Sequence, residues 1–130
     1  MTASPAHTAA YRHGIDLFNE EKFFDAHEVL EDVWRAAPEP EKRFLQGLIQ
    51  VAVALHHHSR GNVVGCLSLL TRGGRNLSLY GDLHDGVDLA RLRADLQLWS
   101  AALAHDGSVS IGEGAVPPLP KLILQNNTSE

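Results

Sequence analysis

The sequence has very little of several features that define common protein classes. It contains one cysteine, Cys66, which excludes an intramolecular disulfide and a cysteine-caged metal site and is typical of a reducing compartment. No stretch reaches the roughly 18 consecutive apolar residues of a membrane-spanning helix, and residues 1–7 lack the basic and apolar regions of a signal peptide. We therefore expect a soluble, cytoplasmic protein with no membrane partner.

Basic residues and glycine-rich motifs are also scarce. Eleven Lys and Arg stand against 16 Asp and Glu, the formal net charge is -5, and no local Lys/Arg cluster offsets it, so no nucleic-acid partner is expected. The chain has no glycine-rich phosphate loop and no nucleophile elbow around a serine. Nucleotide enzymes and serine hydrolases are therefore disfavoured.

What the sequence does have is helical periodicity over most of its 130 residues, 44% of which are hydrophobic. Apolar residues spaced at i, i+3 and i+4 predict an all-α fold, a single compact bundle of about five helices. The predicted helices begin near Ser4-Pro5, Lys22, Glu41, Val63 and Asp85 or Asp88. We expect one domain over 1–130, with the bundle at 5–105 and an extended, proline-containing arm at 106–130 whose last residues are frayed.

The densest chemical signal lies in the second predicted helix, Lys22 to Arg35. At about 100° per residue, His27 falls inside the apolar face of this helix and Trp34 lies on the same side. Glu31 stands one turn after His27 at the edge of that face, whereas Glu28 is turned further towards solvent. A histidine on a core-facing stripe with a carboxylate four residues later indicates a candidate site.

The third predicted helix is apolar nearly all round and should be the centre of the bundle. Its polar residues form a narrow stripe, because Gln46, Gln50 and His57 lie within about 40° of one another. In the fourth helix, Gly73 and Gly74 on the packing face indicate close approach of another helix, or a kink.

These motifs together resemble a known family. The pattern Phe-Phe-Asp-Ala-His-Glu-x-x-Glu-x-x-Trp at 23–34, the Leu-Gln-Gly-Leu-Ile-Gln pattern at 45–50, and Leu-His-His at 55–57 leading to Gly61-Asn62 are similar to the small helical proteins of domain of unknown function 309. The likeness spans roughly residues 11–79. It implies an all-helical domain and brings no agreed activity, so no reaction can be assigned from the sequence.

Three interpretations of the polar residues remain open. In the first, His27 and Glu31 centre a binding site for a small molecule or peptide; the ligand-binding candidates are His27, Glu31, Trp34, Gln46, Gln50 and His57. In the second, His27 donates to Glu31 or Gln50 in a buried network that fixes helix register. In the third, the protein is a hydrolase in which His27, Glu31 and His57 hold a divalent metal ion and Glu28 is the general base. A divalent metal is the one cofactor that these residues suggest.

We take a binding or interaction module as the leading hypothesis, with the metal-dependent hydrolase as its alternative. A further alternative is an oligomeric scaffold, because Leu69, Leu79 and Leu98 fall off the main apolar stripes and could form a contact between copies.

Overall fold

The computed structural model describes residues 8–104 and 117–125. In these ranges the chain forms five helices and one short antiparallel ribbon. The elements are α1 (Ala9–Asn19), α2 (Phe23–Ala36), α3 (Glu41–Ser59), α4 (Val63–Leu77), β1 (Leu83–His84), β2 (Val87–Asp88) and α5 (Leu89–Ala104). The predicted all-α bundle of about five helices is confirmed.

Short polar side chains fix where most of these helices begin. The Asn62 side-chain oxygen accepts a hydrogen bond from the Gly65 amide at 2.8 Å, and Asp88 accepts one from Arg91 at 3.0 Å, so both act as the predicted N-caps. Thr8 rather than Ser4 caps α1, accepting from the Tyr11 amide at 3.3 Å. Ser4 and Pro5 lie outside the described residues.

The central element is α3, which packs against α2 on one side and α4 on the other. It contributes eight buried residues to the core, as its apolar sequence predicted. No helix in the described part of the chain is long and apolar enough to cross a membrane. The cytoplasmic location expected from the sequence stays a prediction.

The contact between α3 and α4 is close because glycines face each other across it. A methyl group on Gly47 would stand 2.7 Å from Cγ of Leu77, and one on Gly73 would stand 3.1 Å from the Gly47 carbonyl oxygen. A methyl group on Gly74 would meet nothing within 4 Å. The close approach predicted for the glycine pair therefore holds for Gly73 alone.

The segment between α4 and α5, expected to be a loop, contains the ribbon of β1 and β2. Leu83 pairs with Asp88 and His84 with Val87, and Asp85-Gly86 makes the turn with φ of 47° and 82°. An Asp-Gly pair is the residue choice for such a two-residue turn. Two residues per strand are too few for alternation to be visible in the sequence, so the ribbon was missed.

The described part of the C-terminal arm, 117–125, is extended and bound to the bundle. Nε1 of Trp99 donates to the Pro118 carbonyl at 2.9 Å, and the Asn19 side chain exchanges two hydrogen bonds with the Leu122 backbone. Leu122 is buried, so the arm completes the core. The fraying expected at the end of the chain concerns residues 126–130, which lie outside the described residues.

Candidate functional site

His27 is half-buried on α2, and its hydrogen bond is made within its own helix. Nδ1 donates to the Phe24 carbonyl at 2.9 Å, which in the neutral ring leaves Nε2 as an acceptor. Glu31 pairs instead with Arg35, at 3.5 Å, and Arg35 also binds Asp32 at 2.6 Å. The contacts therefore differ from the expected network, in which His27 donates to Glu31 or Gln50. Glu28, the candidate base, is exposed.

The ring of Phe24 stands on the surface beside His27. Its side chain is 49% exposed, and its ring centroid lies 5.1 Å from that of His27 and 5.3 Å from that of His56 on α3. An imidazole from each of two helices thus flanks an exposed phenylalanine. A partner could reach this aromatic group without opening the core.

Trp34 closes the other end of the contact between α2 and α3. The Lys42 ammonium lies 4.1 Å from the Trp34 ring centroid and donates to the Trp34 carbonyl at 2.6 Å. Nε1 of Trp34 is buried and has no hydrogen-bond partner among the described residues. The role of Trp34 in a binding site stays a prediction.

The solvent side of α3 lies between α2 and α4. Lys42 and His56 point to α2, whereas Gln50 accepts a hydrogen bond from Asn76 of α4 at 2.8 Å. Between these two sides runs a stripe of residues spaced three or four positions apart, which are Gln46, Ile49, Val53 and His57. Gln46 is exposed, and the other three are half-buried. At the far end of the stripe, Nδ2 of Asn62 lies 3.4 Å from Nδ1 of His57.

We name the resulting surface the α2–α3 face. It comprises Phe24, His27 and Glu31 on α2 and Gln46, Ile49, Gln50, Val53, His56 and His57 on α3. The ligand-binding candidates predicted from the sequence lie on this face or, for Trp34, at its end, whereas Glu28, the candidate general base, is not part of it. The sequence did not single out Phe24 as exposed or His56 as its neighbour. Position on a helical wheel could have suggested both, but ring contact between helices depends on the packing.

Among the residues that the structure describes, one set of three potential metal ligands has its ligand atoms all within 4.8 Å of one another. This set is Glu41, His84 and Asp85. His27, Glu31 and His57 do not form such a set. Their role in binding a metal stays a prediction.

Burial alters the protonation of groups away from the α2–α3 face. Burial raises the pKa of the Cys66 thiol to about 11, so at neutral pH the thiol is an inert packing group. Burial also lowers the pKa of His58, whose ring meets that of Trp99 edge to face at 4.9 Å. Tyr11 has a pKa raised by burial and by the neighbouring Asp85.

Comparison with known proteins gives matches to proteins of unassigned function. A relative from Bacillus subtilis (strain 168), named uncharacterized protein YpuF, is 34% identical over 100 residues, which cover 75% of this chain and 56% of the relative. An uncharacterized protein from Aquifex aeolicus (strain VF5) is 32% identical over 81 residues, covering 62% of this chain and 24% of the relative. The chain thus spans about half of the first relative and a quarter of the second.

The family match falls on the helices that carry the α2–α3 face. The model described as Domain of unknown function (DUF309) matches residues 11–69, from α1 into α4. This range contains all three motifs on which the resemblance to the family rests. Residues 11–69 of this chain are therefore similar to the DUF309 family, the family that the sequence motifs resemble.

Proposed function

We propose that this protein is a binding module that takes a short basic peptide segment of a partner protein on the α2–α3 face. The observation that carries the proposal is the surface aromatic group, Phe24, 49% exposed and flanked by the rings of His27 and His56. Aromatic side chains that lose their exposure on association are the usual anchors of protein interfaces.

The surface beside this anchor suits a peptide. Ile49 and Val53 are half-buried and offer apolar area along α3, and Gln46 and His57 offer hydrogen-bonding groups on the same stripe. The stripe covers 12 residues of helix from Gln46 to His57. The rise between its two ends is roughly 16 Å at about 1.5 Å per residue. An extended segment of about five residues would span that length.

Charge complementarity favours a basic occupant. The α2 helix carries four acidic residues against one arginine, and those acidic residues are Asp25, Glu28, Glu31 and Asp32. Glu31 lies on the α2–α3 face itself, and the whole chain has a formal net charge of -5. The negative electrostatic field of these residues accelerates association with a positively charged partner and disfavours an acidic one.

The lengths of the relatives also support a module. The matched region accounts for 24% of the Aquifex aeolicus relative, so in that protein a related helical unit is part of a longer chain. A metal-dependent hydrolase using His27, Glu31 and His57 is the alternative for the same residues. We favour binding because Glu31 pairs with Arg35, and His57 lies beside Asn62.

Selection from a random peptide library displayed on phage, with the full chain immobilised, tests this proposal. We expect the enriched peptides to be basic and to contain an aromatic or large aliphatic residue. As synthetic peptides they should bind the Phe24→Ala variant about tenfold more weakly than the wild type, equivalent to about 1.4 kcal/mol. Isothermal titration calorimetry measures both affinities.

Leu98→Ala is the matched control, because Leu98 is an equally exposed apolar residue (58%) on α5, away from the face. It should leave peptide affinity unchanged, whereas Glu31→Lys should weaken binding and reduce its dependence on salt. Equal affinity for the wild type and Phe24→Ala would overturn the proposal. So would a selection that enriches acidic peptides or none.

A further inference from the structure

A second cluster of chemically active side chains lies at the other end of α3, outside the α2–α3 face. Glu41, the first residue of α3, meets His84 of β1 and Asp85 of the following turn. One ligand atom from each of the three lies within 4.8 Å of the other two, and all three residues are half-buried. The fold brings Glu41 next to His84 and Asp85, which follow it by more than 40 positions in the sequence.

The positions of these groups are fixed by their neighbours. The His84 ring packs against Phe44 at 4.7 Å and Tyr80 at 4.6 Å between centroids. The Tyr80 hydroxyl donates to the Pro40 carbonyl at 2.6 Å, which ties the same aromatic group to the start of α3. Metal sites require ligands held in place in this way by surrounding contacts.

The Asp85 backbone is held as firmly. The Tyr11 hydroxyl, on α1, donates to the Asp85 carbonyl at 2.8 Å. Asp85 also takes the left-handed conformation of the turn, with φ of 47°. This conformation is one that aspartate tolerates better than most residues, and it fixes the direction in which the side chain leaves the ribbon.

The Nε2 atom of His84 can ligate a metal ion and makes no hydrogen bond to the described residues. Nε2 is buried and has no hydrogen-bond partner among them; its distance to Oδ2 of Asp85 is 3.5 Å, longer than an ordinary hydrogen bond. Buried polar atoms are normally satisfied. A cation between the imidazole and the carboxylates would satisfy this nitrogen.

We propose that Glu41, His84 and Asp85 bind a divalent first-row transition metal ion, such as Zn²⁺ or Mn²⁺. One imidazole and two carboxylates suit these ions better than Ca²⁺ or Mg²⁺, which favour oxygen ligands alone, or Cu⁺, which favours sulfur. Ligand atoms at about 2.1 Å from one ion stand roughly 3–4 Å apart, so small side-chain rotations would close the site. Three protein ligands leave a coordination position open to water.

Zn²⁺ titration of chelator-treated full-length protein, in competition with a chromophoric chelator, tests the site. We expect one tight equivalent in the wild type and at least about a tenfold loss of affinity in both Glu41→Gln and His84→Gln, as for removal of a ligand. The matched control is His58→Gln, since His58 is also a half-buried histidine but packs against Trp99, outside both this cluster and the α2–α3 face. It should bind Zn²⁺ as the wild type does.

Unchanged Zn²⁺ affinity in Glu41→Gln and His84→Gln would overturn the proposal, as would the absence of a stoichiometric site in the wild type. A second measurement needs no variant and so does not depend on the variants folding. Substoichiometric Mn²⁺ added to the isotope-labelled wild type should broaden the amide signals of residues 41 and 84–85 first. Broadening centred on the histidines at 56–58 would contradict the assignment.

Discussion

Gly47→Ala should lower the free energy of unfolding by up to about 2 kcal/mol. The usual cost of forcing an extra methyl group into a packed core, about 1–3 kcal/mol, outweighs the gain of up to about 1 kcal/mol that alanine brings to a helix. The added carbon would stand 2.7 Å from Cγ of the fully buried Leu77 and 3.3 Å from the Gly73 carbonyl oxygen. The helices α3 and α4 would have to separate, and this is a major helix contact of the bundle. Urea denaturation followed by circular dichroism measures the loss.

Gly74→Ala is the matched control for this prediction. Gly74 lies in the same α4 helix, one residue after the close contact, and a methyl group there meets nothing within 4 Å. Alanine should therefore raise the free energy of unfolding by up to about 1 kcal/mol through helix propensity alone. If the two variants shift stability in the same direction, the close approach of α3 and α4 at Gly47 is wrong.

Trp99→Ala should cost about 3–5 kcal/mol, the range for removing a large buried aromatic side chain. Trp99 is 1% exposed, packs against His58 and donates to the Pro118 carbonyl, so its loss opens a cavity beneath the C-terminal arm. The arm should also be released. Trypsin cleavage after Lys121, at native conditions, should then be faster than in the wild type.

Two further variants separate the packing of the Trp99 ring from its hydrogen bond to the C-terminal arm. Trp99→Phe keeps most of the ring volume and loses the hydrogen bond, so we expect a smaller cost of about 1–2 kcal/mol. Leu98→Ala removes a neighbouring side chain that is 58% exposed and should change stability little. A Trp99→Ala variant as stable as Leu98→Ala would show that the arm and α5 do not pack as described.

Local sequence signals predicted the helices well because their causes are local. Leu92, Leu96, Trp99 and Leu103 of α5 are buried at the i, i+3, i+4 spacing that predicts a helix. Asn62 caps α4, as its residue type favours. The position of Gly73 on the packing face of α4 indicates a close contact with another helix. Its partner, Gly47, could not be identified, because the register of α4 on α3 depends on packing between helices.

The contacts of the functional side chains were harder to predict, because they also depend on packing between helices. Helical spacing put His27 and Gln50 on suitable faces, but did not determine that Gln50 would pair with Asn76 or that His56 would meet Phe24. The grouping of Glu41 with His84 depends on a ribbon whose strands are two residues long. Tertiary contacts of this kind produce no periodic pattern of residues in the sequence.

The most direct test of whether the α2–α3 face is an open surface is the stability of the His27→Ala variant. A half-buried histidine bonded to a carbonyl of its own helix predicts a loss of less than about 1 kcal/mol in the free energy of unfolding. Leu30→Ala, at a fully buried position on the same helix, should cost about 2–5 kcal/mol and calibrates the measurement. A loss of about 3 kcal/mol or more in His27→Ala would contradict the binding surface and identify His27 as part of a buried structural network.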